Sequence, residues 1–502
     1  MSKQSKSRRN FLKNSALAAA GVMIVPRHVL GGKGFRAPSD TLYIATVGAG
    51  GKGESDMAGF MKSNKSKIAF LCDVDQVKAS KSFTTYPEAK KFEDWRELFE
   101  KESKNFDAVS VSTPDHMHAA IGSAAITLGK HIWIQKPMAH DIYEARVLAD
   151  LAKKYKVVSQ MGNQGSSDNG VRQMREWYEA GIVGDITDVY CYTNRPVWPQ
   201  GAMKWTEKAG TPPSTFNWDL WQGTAKARNY PAGINDGGFV IAPFNWRGWW
   251  DYGTGVIGDM GAHILEAPMT VLGLGHVSQV QTSVSTPGQG FKNENFLDSC
   301  PNSSYTVLTF PKTAKSAGSV RIHWMDGGIM PPRPEELTPT ETMNLADGSG
   351  MIFIGTKGKM MAGCYSQNAK LLPVSRMEDV NVAEKYARVP QGHYVQWVEA
   401  CLAGYGKMET SSPFEKAALV TENMLVANLA IRGYNVPKAV EAVSASSTSG
   451  AAPSAGSGRG PSFPARNVTL LYDAAKMMVT NIPEVNQFVK REYREGWKLS
   501  GV

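Results

Sequence analysis

The stretch 41–73 is the feature that most constrains the fold. Its pattern predicts a buried strand, a glycine-rich turn, an amphipathic helix and a second buried strand, in that order. The turn carries a GxGxxG pattern, in which Gly48 permits a tight turn and Gly50 lets the backbone approach a pyrophosphate. Gly53 lets the helix pack closely on the strand. This order predicts a Rossmann-type unit that binds a dinucleotide.

The second strand of this stretch ends at Asp73, about twenty residues after the last glycine of the turn. A carboxylate at this position accepts hydrogen bonds from the adenosine ribose hydroxyls and repels a 2′-phosphate. The sequence therefore predicts NAD as the cofactor, with NADP less favoured.

Residues 1–40 predict a leader that is not part of the fold. Ser-Arg-Arg-Asn-Phe-Leu-Lys over 7–13 is a twin-arginine signature, and a short, mildly apolar region follows it. That region is too short for a membrane-spanning helix, so we expect no transmembrane span. Export to the periplasm by the twin-arginine route is the expectation. A basic disordered tail and an uncleaved amphipathic anchor are the alternatives, because no sharp cleavage site is present.

Charge and cysteine usage exclude several classes of protein. The formal net charge is +9, and residues 1–40 hold eight Lys or Arg and one Asp, so the remainder is near +2. Such a balance gives no reason to expect a nucleic-acid partner. The five cysteines are scattered and lack metal-ligand spacing, so we expect buried thiols.

The part after the leader exceeds one ordinary domain. Alternating strands and helices over 41–164 predict an α/β, doubly wound parallel sheet, the NAD-binding Rossmann domain. Alternating strands over 165–502 predict a substrate and oligomerisation domain on an open, mainly antiparallel sheet. Its Ser/Ala/Gly/Pro-rich stretch 443–467 predicts a mobile surface insertion. Ser412-Pro-Phe-Glu415 predicts a capping box that opens a long helix.

Two groups of residues in the second part are candidates for chemistry. Asp259 and His263 have i, i+4 spacing on a predicted helix, which puts the carboxylate where it can orient the imidazole. Tryptophans mixed with Arg, Asn and Asp suit a sugar, which stacks on indole and needs polar partners for its hydroxyls. The predicted substrate-binding residues are Arg195, Trp198, Arg247, Trp249 and His263.

With these residues in place, the chain resembles the Gfo/Idh/MocA oxidoreductase family. Thr113-Pro-Asp-His-Met-His118 looks like the family's TP-(N/D)-xx-H turn, Gln135-Lys136-Pro137 like its EKP motif, and Asp259 to His263 like its D-xxx-H pair. The resemblance implies Lys136 and His263 near the reacting carbon. Gln135 departs from the family's Glu and removes a charge beside Lys136. The cofactor-binding residues that we predict are Gly48, Gly50, Gly53, Asp73, Thr113, Pro114, His118, Gln135, Lys136 and Asn163.

The family also implies an α/β domain often used for oligomerisation, so a homo-oligomer (dimer or tetramer) is expected. The leader and the tryptophan-rich segments resemble a secreted branch with carbohydrate substrates.

The reaction that we expect is oxidation or reduction of a secondary hydroxyl of a sugar or glycoside by hydride transfer with NAD. His263, oriented by Asp259, takes the hydroxyl proton, and Lys136 stabilises the alkoxide, so these three are the predicted catalytic residues. An NAD-dependent glycoside hydrolase would use the same residues, and a non-catalytic sugar-binding protein is a further alternative. His116 and His118, with Asp115 beside them, could suggest a metal site. Alternating histidines in a turn close a tetrahedral site poorly without a third ligand at known spacing, so no metal is predicted. Because an exported enzyme meets no pool of NAD, we expect tight cofactor retention.

Overall fold

The computed structural model describes residues 40–201, 203–232, 244–286, 297–343, 347–438 and 462–502. The predicted leader over 1–39 lies outside these residues, as does the stretch 443–461 of the predicted insertion. The end of that insertion, 462–467, is packed: Arg466 donates from Nε to the carbonyl of Tyr434 at 2.8 Å, and Ala465 is buried. The mobility of the insertion stays a prediction.

The N-terminal part forms a six-stranded, fully parallel sheet in the order β3-β2-β1-β4-β5-β6. This is the doubly wound order of a Rossmann fold, and the predicted sheet is confirmed. The strands are β1 (Leu42–Val47), β2 (Ser66–Cys72), β3 (Lys90–Phe92), β4 (Ala108–Val111), β5 (His131–Ile134) and β6 (Ser159–Met161), and the helices are α1 (Lys52–Met61), α2 (Ser80–Thr85), α3 (Trp95–Glu102), α4 (Asp115–Thr127) and α5 (Ile142–Tyr155).

The C-terminal part forms a nine-stranded sheet in the order β13-β12-β11-β7-β10-β9-β8-β14-β15. Among the described strands of this second sheet, only β7 and β10 pair in parallel. The predicted mainly antiparallel sheet is therefore confirmed. The strands are β7 (Ile186–Tyr192), β8 (Gln279–Val284), β9 (Ser304–Phe310), β10 (Val320–Met325), β11 (Gly350–Gly355), β12 (Gly358–Gly363), β13 (Lys370–Leu372), β14 (Leu470–Asp473) and β15 (Met478–Val479).

Helices of the C-terminal part cover both sheets. They are α6 (Asn169–Glu179), α7 (Trp218–Gln222), α8 (Gly255–Ile264), α9 (Glu266–Leu272), α10 (Arg376–Asp379), α11 (Gly392–Ala403) and α12 (Phe414–Gly433), with 3-10 turns at Gln164–Ser167, Asn245–Gly248, Cys364–Ser366 and Pro483–Phe488. Among the described residues, none of the helices is long and apolar enough to cross a membrane. All five cysteines are free and buried, which confirms the predicted thiols.

Helix α11 packs on the N-terminal sheet although it follows it by more than two hundred residues. Trp397 is fully buried, with its ring 5.8 Å from that of Trp133 on β5 and 4.9 Å from that of Phe60 on α1. The indole also donates to the carbonyl of Ile132 at 3.1 Å. Helix α12, also from the C-terminal part, packs against α5 of the N-terminal part. The boundary at 164 stays a prediction, and the core is continuous across it.

Candidate active site

A cavity of about 910 Å³ lies beyond the carboxyl ends of the parallel strands. This is the edge at which open α/β sheets bind ligands. Residues from both parts of the chain line it. From the N-terminal part they include Gly48, Gly50, Lys52, Asp73, Lys78, Ser112, Thr113, Pro114, Asp115, Gln135, Lys136 and Gln164, and from the C-terminal part Phe216, Trp221, Tyr230, Phe244, Trp246, Arg247, His263 and Tyr365.

The glycine-rich turn leaves no room for side chains at Gly48, Gly50 and Gly53. Gly48 has a φ of +83°, and a Cβ there would lie 2.7 Å from the carbonyl carbon of Ser112. A Cβ on Gly53 would lie 1.9 Å from the carbonyl oxygen of Gly48. No side chain caps the N-terminus of α1, which begins at Lys52 within the glycine pattern. The turn and the helix end therefore form the kind of cradle that receives a pyrophosphate.

Asp73 stands at the end of β2 on the cavity wall. Its Oδ2 accepts the N–H of Gly50 at 2.8 Å, and its Oδ1 accepts the N–H of Asp75 at 2.9 Å. Burial raises the pKa of Asp73 above its usual value, and the backbone N–H groups oppose that rise. Each carboxylate oxygen keeps acceptor capacity for a further hydrogen bond, which suits two vicinal ribose hydroxyls.

Thr113 and Pro114 line the cavity as predicted, but His118 and Asn163 do not. The ring of His118 lies within hydrogen-bonding distance of the carbonyls of Pro137 (2.7 Å) and Thr113 (2.8 Å), so it links two wall-forming turns from behind. Asn163 is fully buried and donates to Ser166 at 3.1 Å. Contact of His118 and Asn163 with the cofactor stays a prediction. Their positions follow from local turn geometry, which the motifs do not reveal.

Four residues of the wall carry a buried polar atom that has no partner among the described residues: Nε1 of Trp95, Oγ1 of Thr113, Oε1 of Gln164 and Nδ1 of His263. Unpaired buried polar atoms are costly and are normally satisfied by something that binds. Together with the uncapped α1 and Asp73, these atoms make the cavity chemically suited to a dinucleotide.

Asp259 pairs with two cations, Lys136 and Arg247, that both line the cavity. The ammonium of Lys136 donates to the backbone carbonyl of Asp259 at 2.6 Å and to its Oδ1 at 2.8 Å, and Arg247 donates from Nε to the same Oδ1 at 2.8 Å. Burial alone would raise the pKa of Asp259, but the two cations hold it below its ordinary value, so the group stays a carboxylate. Asp259 therefore positions Lys136 and Arg247.

His263 lies on the cavity wall without the partner that we predicted for it. Its Nδ1 is buried and has no hydrogen-bond partner among the described residues, so the prediction that Asp259 orients this imidazole is corrected. The ring instead packs edge-on against Tyr365, with centroids 4.5 Å apart. Burial, followed by the charge of Lys136, holds the pKa of His263 well below its usual value. The imidazole is therefore neutral near pH 7.

Tyr365 and its neighbour Ser366 both have left-handed backbones, with φ of +63° and +64°. Such conformations are uncommon for residues other than glycine and collect at functional sites. The sequence shows no signal for this pair, because neither residue type favours the conformation.

Of the predicted substrate-binding residues, Arg247 and His263 line the cavity and the other three do not. Arg195 donates to Asp347 at 3.0 Å, outside the wall. Trp198 is buried and donates from its indole to Gln200 at 2.8 Å, and Trp249 is buried against Trp205. Contact of these three residues with a substrate stays a prediction. The aromatic residues that do line the cavity are Trp95, Phe216, Trp221, Tyr230, Phe244, Trp246 and Tyr365.

Asp115 lines the cavity, and the sequence motifs assign it no catalytic or binding role. It is buried, and its Oδ2 accepts the hydroxyl of Thr254 at 2.7 Å. Burial raises its pKa from 3.8 to about 7, against the lowering effect of Thr254 and Arg247. The neighbouring His116 faces the backbone carbonyls of Tyr252 and Trp221.

The fold and the cavity define a two-sheet protein with a dinucleotide site at the Rossmann edge. Residues 42–163 match the family described as "Oxidoreductase family, NAD-binding Rossmann fold". Residues 172–295 match that family's C-terminal alpha/beta domain. The chain belongs to the Gfo/Idh/MocA family of oxidoreductases, and its N-terminal part is an NAD-binding domain.

Individual relatives match shorter stretches. A levoglucosan dehydrogenase of Pseudarthrobacter phenanthrenivorans is 30% identical over 93 residues, 18% of this chain and 23% of that protein. A glycosyl hydrolase family 109 protein of Solibacter usitatus is 29% identical over 160 residues, 29% of this chain and 36% of that protein. The chain thus spans roughly a quarter to a third of the length of these relatives.

Solved structures match over more of the chain. The WlbA dehydrogenase of Bordetella pertussis, in complex with NADH and UDP-GlcNAcA, has a TM-score of 0.50. The match covers 77% of this chain and 97% of that one at 14% identity, which shows a shared fold.

Proposed function

We propose that this protein is an NAD-dependent oxidoreductase that acts on a secondary hydroxyl of a sugar or glycoside. The observation that carries the proposal is the placement of Lys136 and His263 on the wall of the cavity that also holds the glycine turn and Asp73. When bound, NAD supplies a hydride acceptor at that wall.

The protein's own residues handle the proton and the charge on oxygen. The neutral imidazole of His263 can accept the hydroxyl proton. Lys136 has three N–H donors, of which two directions are taken by Asp259, so one remains for the substrate oxygen. Asp259 fixes the ammonium in place, which is the geometry that stabilises a developing alkoxide.

The aromatic part of the wall supports a carbohydrate substrate. Trp221 and Trp246 offer apolar faces for sugar C–H groups, and Arg247 offers donors for hydroxyls. The similarity to a levoglucosan dehydrogenase points in the same direction.

The test is turnover of a verified substrate by Lys136→Met and His263→Ala, with the exposed Lys104→Met as the control. Each of the two cavity variants should lose turnover by two orders of magnitude or more, the usual scale for acid–base groups. Both should still bind NAD in calorimetry, because neither side chain forms the glycine turn. Normal turnover in both variants would overturn the assignment. A protein that binds sugars yet converts none of a broad panel would be the non-catalytic alternative.

A second candidate is an NAD-dependent glycoside hydrolase, and Asp115 is the observation that favours it. Cleavage needs an acid to protonate the departing oxygen, and a buried carboxyl that keeps its proton near neutral pH suits that role. The match to a family 109 glycosyl hydrolase is consistent with it. The two functions differ in stoichiometry: hydrolysis releases sugar without net NADH, and dehydrogenation forms one NADH for each product.

Export and cofactor retention remain part of the proposal, and so does a dimeric or tetrameric state. If the twin-arginine leader acts, folded protein crosses with its cofactor already bound. Protein purified without added nucleotide should then carry near-stoichiometric NAD, measured by mass spectrometry after denaturation. Empty protein that turns over only with added NAD would contradict retention. Light scattering of the same sample measures the oligomeric state.

A further inference from the structure

Asp56 is a fully buried carboxylate on the second turn of α1, directly behind the cavity wall. Its Oδ1 accepts from the ammonium of Lys52 at 2.5 Å and its Oδ2 from the hydroxyl of Ser112 at 2.8 Å. The side-chain amide of Gln135 donates to both oxygens, at 3.0 Å and 2.8 Å.

Three of the partners of Asp56, namely Lys52, Ser112 and Gln135, line the cavity and come from three different segments. Lys52 is the first residue of α1, beside the phosphate-binding turn. Ser112 follows β4 and precedes Thr113, and Gln135 follows β5 and precedes Lys136. One buried carboxylate thus connects three chain segments that form the wall of the cavity.

The contacts also explain why residue 135 is an amide. With Nε2 directed at Asp56, the Oε1 of Gln135 accepts the backbone N–H of Lys136 at 3.3 Å. Residue 135 must therefore donate on one side and accept on the other, which an ionised carboxylate cannot do. Gly162 leaves the space for this amide, since a Cβ there would lie 2.5 Å from Nε2.

We propose that Asp56 is a positioning residue for the cofactor and for the Lys136 turn, and that positions 56 and 135 together accommodate a single carboxylate. A glutamate at 135 would face Asp56 within hydrogen-bonding distance in a buried setting, where one of the two acids must keep a proton. An asparagine at 56 would restore a donor to such a glutamate.

The experiment compares Asp56→Asn, Gln135→Glu and the double variant, with Gln281→Glu on the exposed side of β8 as the control for the charge change. The readouts are the Kd of NAD by calorimetry and the Tm with and without NAD, at pH values from 6 to 9. Gln135→Glu should weaken NAD binding by about tenfold or more, since it replaces the amide that donates to Asp56 with a second buried acid. The double variant should recover most of that loss, and the control should match the unmodified protein.

The pH profile separates positioning from a general loss of stability. In Gln135→Glu the shared proton is lost as pH rises, so its Tm and NAD affinity should fall between pH 6 and 9 beyond any change in the unmodified protein. Lys52 on α1, Tyr394 on α11 and Lys136 are the titratable groups nearest this pair.

Equal Kd values for Gln135→Glu and the unmodified protein would overturn the inference. A double variant that loses as much NAD-binding free energy as the two single variants lose together would also overturn it. If Gln135→Glu fails to fold, a folded double variant that binds NAD still supports the inference, and an unfolded one contradicts it. Neither readout needs a substrate, so a failure of the proposed sugar oxidation leaves this inference standing.

Discussion

We expect Asp73 to set the preference for NAD over NADP, and Lys78 lies on the same cavity wall. Asp73→Ser removes the charge that repels a 2′-phosphate and leaves Lys78 to attract it. The preference for NAD should narrow by about tenfold or more, equivalent to about 1.4 kcal/mol. Calorimetry with both nucleotides measures this change. NADP bound as tightly as NAD by the unmodified protein would contradict the role of Asp73.

Asp115 gives the folded protein a pH dependence of known sign. Its pKa is about 7 when folded and near 3.8 when unfolded, so between these values the folded state holds a proton that the unfolded chain has lost. Stability therefore falls as pH rises from about 4 to 7, by at most roughly 4 kcal/mol from this group. The charges that face Asp115 are Arg247, Asp259 and Lys136.

Asp115→Asn removes the titrating group while keeping its shape. The free energy of unfolding of Asp115→Asn, relative to the unmodified protein, should rise between pH 5 and pH 8, measured by urea unfolding at each pH. A difference that stays constant across this range would show that Asp115 does not titrate there.

For single residues, the sequence identifies those whose position follows from a nearby strand. It does not identify the partners that distant segments bring to them. The spacing of Gly48, Asp73 and Lys136 indicates their place, because each follows a strand at the ligand-binding edge. The pairing of Asp259 with Lys136 depends on two segments more than a hundred residues apart, so helical spacing suggested His263 instead.

Helix α1 and β1 meet so closely that the last glycine of the turn has no substitute. In Gly53→Ala the new Cβ would overlap the carbonyl of Gly48, and backbone atoms cannot yield cheaply. We expect Gly53→Ala to lose NAD binding and several degrees of Tm. Gly275→Ala, where a Cβ meets nothing within 4 Å, serves as the control. Unchanged NAD affinity in Gly53→Ala would contradict the close-packing role.

Elements with strong periodicity were predictable, and their ends were less so. The periodicity over 142–155 predicts α5, which has the bounds Ile142–Tyr155. The predicted capping box of α12 is wrong: the Ser412 hydroxyl is buried without a partner, and Phe414 donates its N–H to Ser159 at 3.0 Å. A neighbouring strand thus supplies the cap that the local motif predicted from within the helix. Composition likewise does not distinguish a tryptophan in a cavity wall from a tryptophan in the core.

The whole molecule depends on contacts between its two parts. Residues 41–164 produced alone would leave the rings of Trp133 and Phe60 without Trp397, a loss of aromatic packing in the core. We expect this fragment to show no cooperative thermal unfolding and no NAD binding. Addition of the missing part on a second chain should restore both. A fragment that melts cooperatively and binds NAD alone would show that α11 is dispensable.

The late position of α11 also sets an order of events during synthesis. The ribosome releases the glycine turn and all six parallel strands long before Trp397 emerges, so the nascent sheet has an uncovered aromatic face for much of translation. During that interval the sheet is exposed to aggregation and to chaperones. The dinucleotide site becomes complete only once most of the chain has been made. Cofactor capture is therefore a late step, and its efficiency should respond to translation speed over the segment between β6 and α11.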